Sequence, residues 1–332
     1  MIGYLYALCA AVLFAARGGL NKKLIVDFDG ICSNQKPAQG AGSNNKETQQ
    51  KTDQKTDERR IIIWSITIIQ LLLHGVGLII FGIPQVDDQY WFLLIVFNFP
   101  VYLIKQFLMI KELQTSQLSR VGPLMTVSPL FATLFSWTCL HEIPNIWGLY
   151  GALLVVVGIY FMDLKKFRTG LLTPLRAITT AKGSKFALLA AMLMGLGGNL
   201  DKLALNLCDS SQLGSDHASV FFYQFAINLV VVVWMSLVFV RRKPRMYIHG
   251  FRKGIVPLSL LAIVGGAGIT FQMLAIQQIL VPYIAAIKRT GELLGSIMIG
   301  AWFFKENNLR NCIFGGLVIA VGIVFIVALG RV

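Results

Sequence analysis

Three ionisable residues, Lys288, Arg289 and Glu292, lie within one long apolar segment of the sequence. Lys288 and Arg289 precede Glu292 by four and three residues, so all three side chains fall on adjoining faces of a single helix. Two cations in this arrangement suit a carboxylate or phosphate group of a small molecule. The alternative is a structural ion pair in which Lys288 or Arg289 only neutralises Glu292.

Two further apolar segments contain deeply placed titratable residues. At 1.5 Å per helical residue, Glu292 lies roughly 15 Å, His74 roughly 20 Å and Lys105 roughly 21 Å into their segments. Ionisable groups at such depths cost free energy, so they are expected to face an interior pathway. His74 and Gln70, one turn earlier, could instead make hydrogen bonds between helices. Lys105 could instead extend its charge toward a membrane surface.

A second group of polar residues lies nearer the ends of the apolar segments. Arg120 begins one segment and Arg17 ends another, which favours side chains that reach the headgroup region. Asn199 and Asp201 lie near the end of the sixth segment, and Lys202 next to them suggests an ion pair there. We include Arg120 and Asn199 among the candidate binding residues with Lys288, Arg289, Glu292, Lys105, His74 and Gln70.

The elements that must position these residues are transmembrane helices. Apolar residues make up 55% of the 332, and charged residues make up 14%. About 20 apolar residues cross a bilayer as a helix, and the continuous apolar runs do not alternate as barrel strands do. The predicted fold class is an all-α polytopic membrane protein. Its ten predicted spans are 2–21, 61–83, 91–111, 116–138, 146–162, 186–207, 218–240, 255–279, 282–303 and 311–330.

The distribution of basic residues predicts the orientation. Of the 30 Lys and Arg residues, 23 lie in the loops on one face and only Arg331 lies on the other. Because basic loops stay in the cytosol, both termini are predicted to face outward. This asymmetry accounts for the net charge of +14 without a nucleic-acid partner. A prokaryotic cytoplasmic membrane is the expected location.

The sequence contains two copies of one five-helix pattern. With a shift of 180 residues, Ala7 aligns with Ala187, Gly18 with Gly198 and Lys22 with Lys202; with a shift of 164, Glu142 aligns with Glu306, Gly151 with Gly315 and Gly158 with Gly322. Because five is odd, the two copies enter the membrane from opposite sides, which makes them inverted repeats. The predicted repeats are 1–164 and 185–332, joined by a basic cytosolic linker, 165–184. Residues 27–60 are rich in Lys, Gln, Asn, Thr and Asp, which predicts a disordered cytosolic insertion.

These repeats resemble the two-domain EamA-like branch of the drug/metabolite transporter superfamily. Each ends with a small-residue helix, a short turn containing Glu142 or Glu306, and a glycine-punctuated helix, WGLYGALLVVVGIYFMDL or CIFGGLVIAVGIVFIVAL. The segment YIAAIKRTGELLGSIMIGAWFFKE resembles the penultimate helix of that branch. The resemblance implies a metabolite transporter that alternates between inward-open and outward-open states, with the Lys288 helix beside a central cavity.

The leading functional prediction is a secondary transporter of a small anionic or zwitterionic solute, such as an amino acid or organic acid. No P-loop of the form GxxxxGK[ST] occurs, and the five scattered cysteines suggest no metal site, so no cofactor is expected. A lipid-carrier flippase on the same fold, a scaffold or sensor, and a membrane-embedded lipid enzyme are the alternatives. The expected partners are the solute and the lipid bilayer, and the Gly291-xxx-Gly295 stripe leaves a homodimer open.

Overall fold

The computed structural model of the chain is almost entirely helical. It describes residues 1–32, 45–105, 108, 127–142, 144–163, 184–209, 216–304 and 309–329. Within these residues the one sheet is a ladder of two short antiparallel strands, β1 (Gln85–Val86) and β2 (Cys208–Asp209). The architecture is therefore all-α, with each helix satisfying its own backbone hydrogen bonds, as a chain in lipid must do.

A helix overlaps each of the ten predicted spans. The helices are α1 (Ile2–Cys32), α2 (Asn45–Phe81), α3 (Asp88–Leu93, continuing through Leu94–Asn98 and 99–105), α4 (Ser128–Phe135, continuing through Ser136–Leu140), α5 (Ile146–Asp163), α6 (Ser184–Asn206), α7 (Asp216–Val238), α8 (Ile255–Gln278), α9 (Val281–Phe304) and α10 (Leu309–Val324, continuing through Phe325–Leu329). The continuations Leu94–Asn98, Ser136–Leu140 and Phe325–Leu329 are π-helical. A 3₁₀ turn, Val240–Arg242, and a short surface helix, Pro244–Lys253, join α7 to α8.

Four of the helical segments are long and apolar enough to cross a membrane within the described residues. They are Thr56–Phe81, Leu188–Asn206, His217–Arg242 and Ile255–Gln278. Shorter apolar helices cover Ile2–Gly18, Ser128–Leu140 and Ile146–Gly158. Large apolar side chains are exposed on the outer faces, for example Ile79 and Leu72. Lipid contact accounts for exposed side chains of this kind, so the protein is an integral, multi-pass membrane protein.

The predicted disordered insertion, 27–60, is helical at both of its ends. Helix α1 continues to Cys32, and α2 begins at Asn45; residues 33–44 lie outside the described part of the chain. In α2 the polar residues include Lys, Glu, Gln and Arg, which are good helix formers and extend a helix that an apolar segment has nucleated. Arg60 and Asp57, three residues apart, also form an ion pair of 3.2 Å on α2. The predicted insertion thus has a helix at each end, and its central part lies outside the described residues.

Helices that occupy the same place in the two predicted repeats pack against each other in antiparallel fashion. In α2 and α7, Trp64 donates a hydrogen bond to Ser236 near one end, and Phe81 contacts His217 near the other. In α5 and α10, Asn145 Nδ2 donates to the Leu329 carbonyl at 2.7 Å. Further along, Gly151 and Gly322 bring the two backbones together.

The remaining helices surround the interior in two similar groups. Helix α1 packs against α8 and α9, and α6 packs against α3 and α4. Close approach depends on small residues: a Cβ on Gly291 would lie 2.5 Å from the Ala11 Cβ, and one on Gly195 would lie 2.6 Å from the Ala132 backbone nitrogen. These contacts place the polar residues of α1, α6 and α9 toward one central region.

Candidate functional site

A cavity opens between α4, α6, α8 and α9. It encloses about 480 Å³ of empty space, part of it open to solvent. Its charged lining residues are Lys288, Arg289 and Glu292, and its polar ones include Ser128 and Gln272. Helices from both halves of the chain therefore line one chamber.

The three predicted residues on α9 all face this cavity, but they differ in their partners. Arg289 forms an ion pair with Glu292 at 3.1 Å. Lys288 instead donates a hydrogen bond to Gln272 Oε1 at 2.9 Å and lies 4.0 Å from the ring centre of Phe14. Among the described residues, Lys288 has no carboxylate within ion-pair distance. Its ammonium group is held by a neutral amide and an aromatic face, which leaves its charge available to an anion.

Lys105 belongs to the electrostatic surroundings of the cavity without lining it. Its ammonium lies 5.2 Å from the ring centre of Tyr102 and interacts electrostatically with Asp201 and Arg17. Lys288 interacts with the same two residues and with Lys105 itself. The side chain thus faces the interior of the bundle.

Arg17 is also an interior residue, contrary to the prediction that it reaches the headgroups. Helix α1 does not end near Arg17 but continues to Cys32, so Arg17 lies in mid-helix. Its side chain crosses the α8 backbone at Gly265, where an added Cβ would be 3.1 Å from Arg17 Cδ and Nε. It also interacts electrostatically with Glu292. The apolar run ends before the helix does, so the sequence placed Arg17 nearer the membrane surface than it lies.

Asp201 adds an acidic group that was not among the candidate residues. It accepts a hydrogen bond from the Tyr223 hydroxyl of α7 and interacts electrostatically with Lys105 and Lys288. It follows Met194 and Gly198 at helical spacing on α6, and both of those residues line the cavity. The suggested pair with Lys202 does not form, because Lys202 is bonded to Glu142 at 2.8 Å.

His74 and Gln70 belong to a separate polar network between α2, α7 and α8. The His74 side chain is fully buried, with Nδ1 2.6 Å from the Gln70 carbonyl and Nε2 3.3 Å from Thr270 Oγ1. Asn228 of α7 also approaches Nδ1, at 3.4 Å. Gln70 Nε2 donates to the Ala262 carbonyl of α8 at 3.4 Å. These contacts match the alternative interpretation, hydrogen bonds that hold the helices together.

Asn199 supports the cavity wall and does not line it. Its Nδ2 donates to the carbonyls of Ala132, at 3.1 Å, and Gly195, at 2.9 Å, so it ties α6 to α4. Both carbonyls belong to residues that line the cavity. Arg120, the eighth candidate, lies outside the described residues.

Comparisons with known proteins give a fold and a family. One solved structure, described only as the crystal structure of a protein, superposes on this chain with a TM-score of 0.58. The match covers 99% of this chain and 97% of that chain. The sequence identity is 12%, so the likeness concerns the fold alone. No curated protein matches the sequence.

The family comparison covers about a third of the chain, within its first half. Residues 55–163 match the EamA-like transporter family, a part of the drug/metabolite transporter superfamily. The match spans α2 to α5, including the turn with Glu142 and the glycine-punctuated helix that carried the resemblance. Members of this family are membrane transporters. Over residues 55–163, the chain is therefore similar to the EamA-like transporters.

Proposed function

We propose that the chain is a secondary transporter that moves a small anionic or zwitterionic metabolite, such as an amino acid or organic acid, by alternating access. The observation that carries the proposal is the cavity lined by Lys288, Arg289 and Glu292 between helices of both halves. Ionisable side chains at membrane depth that border a cavity mark a solute pathway more often than a structural feature.

The balance of charge around the cavity supports an acidic group on the solute. Two cations, Lys288 and Arg289, line it, and Arg17 and Lys105 interact electrostatically with the same cluster. Two acids oppose these four cations, Asp201 and Glu292, and Glu292 already pairs with Arg289. A carboxylate or phosphate that approaches Lys288 would offset this excess of positive charge.

The acids also have a place in the binding of a zwitterion. Asp201 is held by the Tyr223 hydroxyl and lies within electrostatic range of Lys288. An amino acid carries an ammonium and a carboxylate on one carbon, so it offers one charge to Asp201 and the other to Lys288. Amino acids are accordingly the first solutes to test, followed by organic acids.

The packing of the helices supports a ten-helix architecture of two inverted repeats, 1–164 and 185–332. In such a pair, the members of each counterpart couple run in opposite directions, as α2 and α7 do, and as α5 and α10 do. Rocking of the two repeats against each other would expose the cavity to each side in turn. The charge of the loops favours outward-facing termini in a prokaryotic cytoplasmic membrane.

The first test is a thermal-shift screen of the detergent-purified protein against amino acids, organic acids, phosphorylated metabolites and cationic drugs. A ligand of the folded state at about 100 times its Kd adds about 2.7 kcal/mol to the free energy of unfolding. We expect acidic or zwitterionic compounds to stabilise the wild type. Lys288→Met, which keeps the length of the side chain and removes its charge, should fold and lose the response.

The control for this screen is Arg252→Ala, which removes an exposed cation from the surface helix, Pro244–Lys253. This variant should respond to the same compounds as the wild type. Stabilisation by cationic drugs or lipids alone would contradict an anion site. An unchanged response of Lys288→Met would show that the cluster on α9 is structural.

A further inference from the structure

We propose that Lys202 and Glu142 form a gate that closes one mouth of the cavity, and that their separation opens it. The proposal rests on the proposed transport function and adds a moving part to it. We call the end of the cavity next to these residues the Glu142 mouth. The loop charges predict that this mouth faces outward.

The gate joins three segments of the chain. Lys202 Nζ of α6 contacts Glu142 Oε1 at 2.8 Å and Oε2 at 3.0 Å, in the turn between α4 and α5. The same ammonium donates to the Ile279 carbonyl, in the turn between α8 and α9, at 3.4 Å. The Lys202 residue is only 7% exposed. One side chain thus holds together the ends of elements from both halves.

This contact lies directly beyond the wall of the cavity. Lys202 is one helical turn after Gly198, and Ile279 is two residues before Val281; Gly198 and Val281 both line the cavity. At that level the two helices nearly touch, because a Cβ on Gly198 would lie 3.0 Å from Val281 Cγ1. A solute in the cavity therefore meets this contact, and then the ion pair, on its way to the Glu142 mouth.

Local backbone geometry directs Glu142 toward Lys202. Helix α4 ends in a π-helical turn, and His141 after it has φ 54° and ψ 25°, the left-handed conformation. Non-glycine residues rarely adopt this conformation, and when they do they are often found at sites that move or bind. The Glu142 backbone N–H then bonds back to the Ser136 carbonyl at 3.1 Å. The backbone of the turn is therefore held in place, and the Glu142 side chain is the part that can move away from Lys202.

Gly18 aligns with Gly198 in the internal repeat, and it is exposed. Among the described residues, no atom lies within 4 Å of a Cβ built on Gly18. Glu306, the counterpart of Glu142, lies outside the described residues, so this comparison concerns the two glycines alone.

An ion pair suits this position because its charges are compensated in both states. In the closed state the two groups neutralise each other, and the cost of removing them from water offsets part of their attraction. Separation of the pair returns both groups to water in an open mouth, so the pair can favour the closed state by a free energy that a bound solute can offset. A ligand that favours one of the two states then shifts their populations.

The test measures access to a cysteine in the cavity. Ala285, which lines the cavity, is changed to cysteine in the full chain after replacement of Cys9, Cys32, Cys139, Cys208 and Cys312. A membrane-impermeant maleimide is added from one face or the other of oriented vesicles. We expect slow labelling of the wild type through the Glu142 mouth. Glu142→Gln should accelerate labelling through the Glu142 mouth by about 5- to 30-fold. A change of this size in the ratio of open to closed molecules corresponds to about 1–2 kcal/mol.

Two double variants keep the test decisive. The exchange Lys202→Glu with Glu142→Lys should restore slow labelling. Lys202→Met with Glu142→Gln leaves no uncompensated buried charge, so it should fold even where a single variant does not, and it should label as fast as Glu142→Gln. Lys243→Gln, which breaks the ion pair of 2.6 Å between Lys243 and Asp57 at the other face, should leave labelling unchanged.

Two results would contradict the proposed gate. One is slow labelling, as in the wild type, of Lys202→Met with Glu142→Gln. The other is labelling of Lys202→Glu with Glu142→Lys that is as fast as that of the neutral variants. These results are separate from the proposed function. Unchanged labelling together with intact solute transport removes the gate alone. Accelerated labelling in a chain that transports none of the solutes tested retains the gate and removes the transporter.

Discussion

Lys288 is the residue on which solute binding is expected to depend most. A desolvated ammonium without a carboxylate partner is costly, and here Gln272 and the Phe14 ring offset part of that cost. Arg289 differs because its charge is already opposed by Glu292 at 3.1 Å. An anion in the cavity would gain most from Lys288, so the loss of this one charge should weaken binding more than the loss of Arg289.

His74 is expected to stabilise the bundle without coupling transport to protons. Its ring contacts Gln70 and Thr270 and does not line the cavity. We predict that His74→Gln leaves the pH dependence of ligand binding unchanged, because no titratable group near the solute is lost. Thr270→Val, which removes the partner of Nε2, should lower the free energy of unfolding by about 0.6 kcal/mol, a typical value for a hydrogen bond between membrane helices.

Ligand binding measured by thermal shift between pH 5 and pH 8, a range that spans the ordinary pKa of histidine, checks this prediction. A pH dependence present in the wild type and lost in His74→Gln would contradict it. Such a result would return His74 to the solute pathway, and with it the role of proton carrier.

The sequence indicated which candidate residues share one side of a helix, but not which of them meet across helices. Lys288, Arg289 and Glu292 were predictable because their spacing alone puts them on adjoining faces. Asp201 was not predictable, since its role depends on Tyr223 of another helix. His74 passed the same test of depth as Glu292, but depth does not say which helix a side chain faces.

Helices α5 and α10 make a contact that leaves no room for a larger residue at either of two glycines. A Cβ on Gly151 would lie 2.6 Å from the Gly322 carbonyl oxygen, and one on Gly322 would lie 2.7 Å from the Gly151 carbonyl oxygen. Both obstacles are backbone atoms, which cannot rotate aside as a side chain can. The two glycines therefore set the distance between these helices.

We predict that Gly151→Ala destabilises the protein by about 1–3 kcal/mol, the usual cost of overpacking. Gly197→Ala is the matched control, because a Cβ there meets, among the residues that the structure describes, only Val101 Cγ1 at 3.9 Å. Alanine also favours a helix over glycine, so the control should keep or raise the melting temperature in detergent. Equal melting temperatures for the two variants would show that α5 and α10 can separate freely.

Helix positions followed from the sequence better than helix ends did. Apolar runs predicted a helix at each span, because only hydrogen-bonded helices satisfy backbone groups in lipid. The ends were missed where polar residues continued a helix, as at Cys32 in α1 and Asn45 in α2. The same error placed Arg17 near the membrane surface, because its depth was judged from the end of the apolar run.

For the whole molecule, the predicted inverted repeats account for the antiparallel packing of α2 with α7 and of α5 with α10. Internal alignment predicted which residues are counterparts, such as Gly18 and Gly198. It did not predict that one would be packed against Val281 and the other exposed. The packing around each glycine depends on contacts between helices, which an alignment of the sequence with itself does not contain.

The most direct measurement is solute exchange across a membrane. Purified protein is reconstituted into liposomes preloaded with unlabelled amino acids or organic acids, and the entry of the same radiolabelled compound is followed. We predict that at least one acidic or zwitterionic compound exchanges in the wild type and in Arg252→Ala, and that Lys288→Met abolishes the exchange while remaining folded. Exchange by Lys288→Met at the wild-type rate, or no exchange of any compound by the wild type, would contradict a transporter with its binding site at Lys288.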